Sequence, residues 1–313
     1  MDLNTLETRF TEPANWQWQF FDHRKLKVRY GLAIPPSQKP EACVVILPGR
    51  TEYAEKYFET AHELLAQNFS VCVIDWPGQG QSQRFAKLFP ERGHALAFHD
   101  YAAALHVLLK KQIKSNVPLV MLAHSMGANI GLRYLKRYPE IFSCAAFSAP
   151  LLGIKQLAFL PFAISIPLLW VLDRVAGNHY AYGEKNWSDE KRDDTWRFSS
   201  DPVRCTIHNG WMRCVPALQL GGATYGWVYR AVKSCAILQK PQTAPSIKTP
   251  CLMVVAGKET LVDNRAAKTF ARRMPNCIFK DIPDSGHEII METDEVRSEF
   301  FAYFYTLVHE NIV

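Results

Sequence analysis

The sequence predicts an α/β chain, with a mostly parallel central sheet covered by helices on both faces and an inserted, mainly helical cap. Three observations carry that expectation. Short β-rich runs alternate with helical patterns along most of the chain. Those runs are apolar nearly throughout, the pattern of strands buried on both faces. Between Pro150 and Pro250 the alternation stops, and five of the eight tryptophans gather there: Trp170, Trp187, Trp196, Trp211 and Trp227.

From the N-terminus, Trp16 to Phe21 and Leu26 to Leu32 read as an antiparallel opening pair. Ala42 to Leu47, Ser70 to Ile74, Pro118 to Ala123, Ser143 to Ser148, Cys251 to Ala256 and Cys277 to Ile282 follow as the core strands. Phe98, Tyr101, Ala102, Leu105, Leu108 and Leu109 share one face at helical spacing, so a packing helix precedes the third core strand. Val296, Phe300, Phe304 and Leu307 mark a closing helix over about Asp294 to His309. The expected organisation is a core over residues 1–150, a cap over 151–246 and the returning core over 247–313, with Lys240 to Pro250 as the linker.

A chain of 313 residues with 48% hydrophobic content can bury one large core, or a core plus an insertion. Its net charge of +6 is spread without basic blocks, which argues against a nucleic-acid partner. The interval Leu151 to Ser246 carries 11 Lys and Arg against 7 Asp and Glu, most of the excess. Met1 to Phe10 lacks the basic start and apolar stretch of a secretory signal, so a cytoplasmic location is expected. Gln156 to Leu172 contains Pro161 and Pro167 and falls short of the about 20 apolar residues that span a bilayer. Surface contact with membrane lipid stays open, as does the oligomeric state. Four of the eight cysteines, Cys43, Cys72, Cys144 and Cys251, lie in apolar strand-like runs, which points to buried thiols. No Cys-x-x-Cys pair occurs and His287-Glu288 lacks a second histidine, so neither a metal nor a cofactor is expected. Asp75 to Ser82 carries glycines without a dinucleotide fingerprint and reads as a structural turn.

The chemistry concentrates at His124-Ser125-Met126-Gly127-Ala128, between a buried strand and a helical segment reaching Tyr138. A serine on such a turn exposes its hydroxyl from a strained backbone, and the positions two before and two after it must be small. Ala123 and Gly127 meet that demand, although the usual pattern has glycine at the first of them. Ser125 is therefore the candidate nucleophile; an ordinary helix N-cap is the plain alternative. A serine hydroxyl needs an imidazole to take its proton and a carboxylate to orient that imidazole. His287, after the last strand, is the candidate base. The loop Gly257 to Asp263 offers two acids. Glu259 is favoured, with Val262 packing under it, and Asp263 is the alternative acid, better suited to cap a helix starting at Asn264. The backbone N–H groups of Met126 and Arg50 are the candidate oxyanion donors, Gly49 letting the backbone approach closely. Leu157, Phe159, Phe162 and Trp170 are candidate substrate contacts.

With these residues in place the chain resembles the monoacylglycerol lipase and lysophospholipase L2 group of α/β-hydrolases. The resemblance rests on Pro48-Gly49-Arg50-Thr51-Glu52-Tyr53 with Tyr57, on Asp75 to Ser82, on Ala123 to Ala128, and on His287-Glu288-Ile289-Ile290-Met291-Glu292. It departs from the group at Pro48, where many relatives have His, and in an acid loop one residue short. What it implies is the α/β-hydrolase fold and hydrolysis of a carboxylic ester bearing one acyl chain, a small-molecule ester or lysolipid, through an acyl-enzyme. An acyltransferase with the same triad and a non-catalytic ligand-binding homologue are the rival readings.

Overall fold

The computed structural model describes residues 6–85, 89–113, 116–188 and 198–312. At its centre lies an eight-stranded sheet: β1 (Gln17–His23), β2 (Leu26–Ala33), β3 (Cys43–Leu47), β4 (Ser70–Ile74), β5 (Leu119–His124), β6 (Cys144–Ser148), β7 (Cys251–Ala256) and β8 (Cys277–Ile282). The order across the sheet is β1-β2-β4-β3-β5-β6-β7-β8. β2 pairs antiparallel with β1 and β4, and every later pairing is parallel. These are the eight runs read from the sequence, three with unchanged bounds and the others with ends moved by at most two residues.

The helices are α1 (Phe58–Ala66), α2 (Phe98–Val107), α3 (Met126–Arg137), α4 (Phe162–Ala176), α5 (Arg204–Cys214), α6 (Tyr225–Leu238), α7 (Thr243–Ser246), α8 (Asn264–Ala271) and α9 (Asp294–Asn311). Every residue of β3, β4, β6 and β7 is buried, because both sheet faces are covered. Side chains alternate between the two layers, as the strand period requires. Val45, Leu47, Met121 and Ala123 join one core with α2, α3 and α8, while Val44, Ile46, Val120 and Leu122 join the other with α1 and α9. The six apolar positions read as one helical face, from Phe98 to Leu109, are all buried. Past Val107 that helix widens into a π-helical turn, Leu108–Gln112.

Helices α4 to α7 occupy the interval between β6 and β7, and no strand of the sheet passes through its described residues. The interval is not uniform. Ala231, Cys235 and Leu238 of α6 pack into the main core, and Ser234 Oγ donates to Asn129 of α3 at 2.6 Å. By contrast α4 shows Ile164, Leu168, Trp170, Val171 and Val175 to solvent. The tryptophans divide accordingly. Trp227 is buried, Trp211 and Trp187 border small satellite clusters, Trp170 is exposed, and Trp196 lies outside the described residues. Among the described residues no helix is long and apolar enough to cross a membrane, and no cysteine is in a disulfide.

Candidate active site

The parallel register sets the site. Leu47 pairs with Ala123 and His124 with Ser148, so the loops leaving β3, β5 and β6 emerge side by side at the carboxyl edge of the sheet. Ser125 stands between β5 and α3 at φ 49 and ψ −111, a backbone conformation outside the ordinary wells for a side chain. The turn is clamped on both sides. The Ser125 amide donates to the Ser148 carbonyl at 3.0 Å, and the Leu151 amide to the Ser125 carbonyl at 3.0 Å. At position 127 a Cβ would collide with the Leu47 carbonyl oxygen, which is why only glycine fits there.

His287 comes from the loop between β8 and α9 and is 4% exposed. Its Nε2 lies 3.1 Å from Ser125 Oγ, and its Nδ1 lies 2.6 Å from Glu259 Oε2. A carboxylate only accepts, so Nδ1 carries the proton, and Nε2 of the neutral ring is free to accept from the serine hydroxyl. Glu259 is buried as well; its other oxygen accepts from the amides of Thr260 at 2.8 Å, Leu261 at 2.7 Å and Val262 at 3.2 Å. Burial would raise the Glu259 carboxyl, but His287 and these amides outweigh it and hold it below its ordinary range. Burial would lower His287, yet the charge and hydrogen bond of Glu259, with Glu288 and Glu52 beyond, raise it. Asp263 lies elsewhere. Its side chain accepts from the Arg265 amide at 2.9 Å as the N-cap of α8.

The loop after β3 is braced by three hydrogen bonds with the turn after β4. The Trp76 indole donates to the Pro48 carbonyl at 2.8 Å, Gln79 Nε2 to the Gly49 carbonyl at 3.0 Å, and the Thr51 amide to Gln79 Oε1 at 3.2 Å. The Asp75 to Ser82 turn thus supports the site; Gly78 and Gly80 both take positive φ, and a Cβ on Gly80 would strike the Asp75 carboxylate. The Arg50 side chain does not project freely to water. Its guanidinium lies 5.2 Å from the Trp227 ring and donates to the Gly221 carbonyl at 3.3 Å.

Beneath this loop sits a charged cluster that the sequence reading did not single out. Glu52 accepts from the Gly49 amide, from Tyr57 Oη at 2.6 Å and from Lys56 Nζ at 2.6 Å. Lys56, 1% exposed, also pairs with Glu288 at 2.6 Å, so one ammonium joins the loop after β3 to the residue following His287. Both carboxylates stand in the motifs that carry the family resemblance, and the i, i+4 spacing of Glu52 and Lys56 was a visible signal. His124, 4.8 Å from His287 between ring centroids, is pushed down to about 4 by burial and stays neutral at pH 7. A second unforeseen clasp is Glu292, which accepts from the Gly286 amide at 2.6 Å and from Ser200 Oγ at 2.6 Å, tying the His287 loop to the segment before α5.

Of the four expected substrate contacts, Leu157 and Phe162 are half-buried and Phe162 packs against the main core, while Phe159 and Trp170 are 76% and 46% exposed. The segment just before Leu157 is joined to the acid loop, with Lys155 Nζ donating to the Glu259 carbonyl and Gln156 Nε2 to the Thr260 carbonyl at 3.0 Å. Among the described residues no group of side chains has the make-up of a metal site.

An eight-stranded, mostly parallel sheet with a serine on a strained turn after β5 defines the α/β-hydrolase class. Residues 38–294 match the Hydrolase_4 family, described as serine aminopeptidase, S33, and the chain belongs to that family. It is 29% identical over 280 residues to a probable lysophospholipase L2 of Haemophilus influenzae, covering 88% of this chain and 86% of that protein. It is 30% identical over 286 residues to lysophospholipase L2 of Escherichia coli K12, covering 84% of this chain and 78% of that one. Among solved structures, a soluble variant of monoglyceride lipase from Saccharomyces cerevisiae superposes with a TM-score of 0.73 at 18% identity, covering 95% and 96% of the two chains. A carboxyl esterase from Bacillus coagulans superposes with a TM-score of 0.74 at 18% identity, covering 96% of this chain and 100% of that one.

Proposed function

We propose that this chain is a serine hydrolase that cleaves carboxylic esters of single-acyl-chain lipids, of the lysophospholipase or monoacylglycerol lipase kind, through an acyl-enzyme. The observation that carries the reading is the unbroken relay Ser125 Oγ, His287 Nε2, His287 Nδ1, Glu259 Oε2 at 3.1 and 2.6 Å. Ser125 Oγ attacks the ester carbonyl while Nε2 takes its proton. The imidazolium, stabilised by Glu259, then protonates the leaving alcohol, and water repeats the sequence to release the fatty acid. The amides of Met126 and Arg50 are assigned to the oxyanion: Met126 opens α3, where the helix dipole also favours negative charge, and the β3 loop is held rigid by Glu52, Trp76 and Gln79.

The interval 151–246 is assigned as the cap over this site, and the apolar outer face of α4, with Phe159 just before it, as a surface that meets lipid. Eight free cysteines, six of them with thiols pushed up by burial, accord with a reducing cytoplasmic setting. The test is Ser125→Ala assayed against para-nitrophenyl esters of increasing chain length, monoacylglycerol and lysophospholipid. Turnover and fluorophosphonate labelling both vanish if the reading holds, and full retention of either overturns it. Added glycerol separates hydrolysis from acyl transfer, since a transferase yields a new ester in place of free fatty acid.

A further inference from the structure

Away from the triad, the C-terminal end of α4 and the outer face of α6 flank an open cleft of about 660 Å³. Arg174, Arg230 and Lys233 line it, and Asp173 is the one carboxylate among its lining residues. That carboxylate is already engaged, for Arg230 donates to Asp173 Oδ1 at 2.9 Å and to the Gly226 carbonyl at 2.8 Å. Among the described residues, Arg174 and Lys233 pair with no carboxylate; each lies against an aromatic ring, Trp170 at 5.5 Å and Tyr229 at 5.6 Å. Two positive charges are therefore left over in one concavity, carried on two neighbouring helices.

We infer that this cleft binds a phosphate or phosphodiester group, at a site separate from the triad. Two uncompensated cations on different helices suit an anion whose charge is spread over several tetrahedrally arranged oxygens, because each cation then reaches its own oxygen. A planar carboxylate, with one charge, is satisfied by a single guanidinium fork. The cleft is also larger than a bare ion needs and leaves room for an attached glycerol or head group. Its position adjoins the β3 loop. His94, which lines the cleft, follows Gly93, where an added Cβ would stand 3.0 Å from Arg50 Nη1. Trp227, one helical turn before Arg230, lies against the same guanidinium at 5.2 Å.

Assignment of the phosphodiester to the head group of a lysophospholipid substrate rests on the ester-hydrolase reading above; the anion site itself does not. The experiment is calorimetric titration of the full chain carrying Ser125→Ala with inorganic phosphate and with glycerophosphoethanolamine, with and without Arg174→Gln and Lys233→Gln together. Both replaced side chains are exposed, and matching melting temperatures confirm the fold. Saturable binding of at least one probe is expected, weakened about tenfold or more by the double substitution. Diester binding, together with a comparable fall in the ratio of kcat/KM for lysophospholipid over monoacylglycerol when the two substitutions are made in the chain that keeps Ser125, identifies a head-group site. Phosphate binding with that ratio unmoved identifies a site for the free ion, and the inference stands. Absence of saturable binding by either probe, or equal binding by the doubly substituted chain, overturns it. So does weakened binding to anionic vesicles with no binding of the soluble probes, which would give the cations to a lipid surface. Because binding is read on a chain lacking Ser125, failure of the hydrolase reading leaves this result intact.

Discussion

Replacing Glu259 by Gln tests the relay where the structure makes its sharpest distinction. Glu259 Oε1 collects the amides of Thr260, Leu261 and Val262, while Oε2 faces His287 Nδ1 at 2.6 Å. A glutamine can keep its carbonyl on the three amides, but its NH2 then meets the Nδ1 proton. The ring must adopt the other tautomer, leaving Nε2 protonated and unable to accept from Ser125. Loss of the orienting acid costs on the order of 10³ to 10⁴ in kcat, or about 4 to 5.5 kcal/mol of transition-state stabilisation at 1.36 kcal/mol per decade. Stability should change little, since the side-chain oxygen that accepts from the three amides survives. Asp263→Asn is the control, because the amide oxygen still accepts from the Arg265 amide at the N-cap of α8, and kcat should stay within about twofold. The assay is steady-state turnover of a short para-nitrophenyl ester, with melting temperature in parallel. Loss of turnover in Asp263→Asn alone would refute the reasoning.

Lys56→Met removes an ammonium that serves two carboxylates, and breaking such a buried group should cost about 3 to 5 kcal/mol, read by denaturant unfolding. Burial would raise Glu52, but Lys56 and its other partners hold it below its ordinary range, so the stability it contributes is present above the unfolded carboxyl range and lost as pH falls through its folded value. Lys56 is itself raised against burial by Glu288 and Glu52, and its share persists until pH rises past the ordinary lysine range. The gap between variant and wild type should accordingly be widest between about pH 5 and 10 and shrink toward acid; a gap that grows on acidification contradicts the assignment. In the pH profile of kcat/KM, the acid limb should lie above about 6.5, the ordinary histidine value, because Glu259 and its neighbours raise His287 and the base must be neutral to act. His124, held at about 4, should add no inflection between about pH 5 and 8, and an acid limb below about 6 would remove His287 from the role.

The eight strands were legible because burial on both faces of a parallel sheet leaves a run of apolar residues that needs no knowledge of its partners. The order of Ser125, Glu259 and His287 along the chain was legible for a related reason, as each follows a strand whose carboxyl end lies on one edge of the sheet. Ala123 and Gly127 showed the tight turn through their size alone, and the collision at position 127 is with backbone that every chain of this topology carries. The apolar stretch through α4 was equally visible. Which of its side chains face inward was not, since Phe159 and Trp170 are as apolar as Phe162 and only packing sets their exposure.

What the sequence by itself determined was the strand pattern, the α/β class, the break in alternation between β6 and β7, where the described residues hold no strand of the sheet, and the residue types able to do acyl chemistry, because each of these follows from local composition and period. What only the tertiary structure decided was which of those residues meet. The sequence favoured Glu259 over Asp263 without deciding between them, and it is the fold that sets one on His287 and the other at the N-cap of α8. Lys56 reads as an ordinary helix-side lysine until the fold closes Glu52 and Glu288 around it. The relay spans 162 residues between Ser125 and His287, and the basic cleft joins α4 to α6. Such meetings depend on register and helix packing, which bring distant groups into hydrogen-bonding reach or keep them apart, and no local pattern encodes that distance.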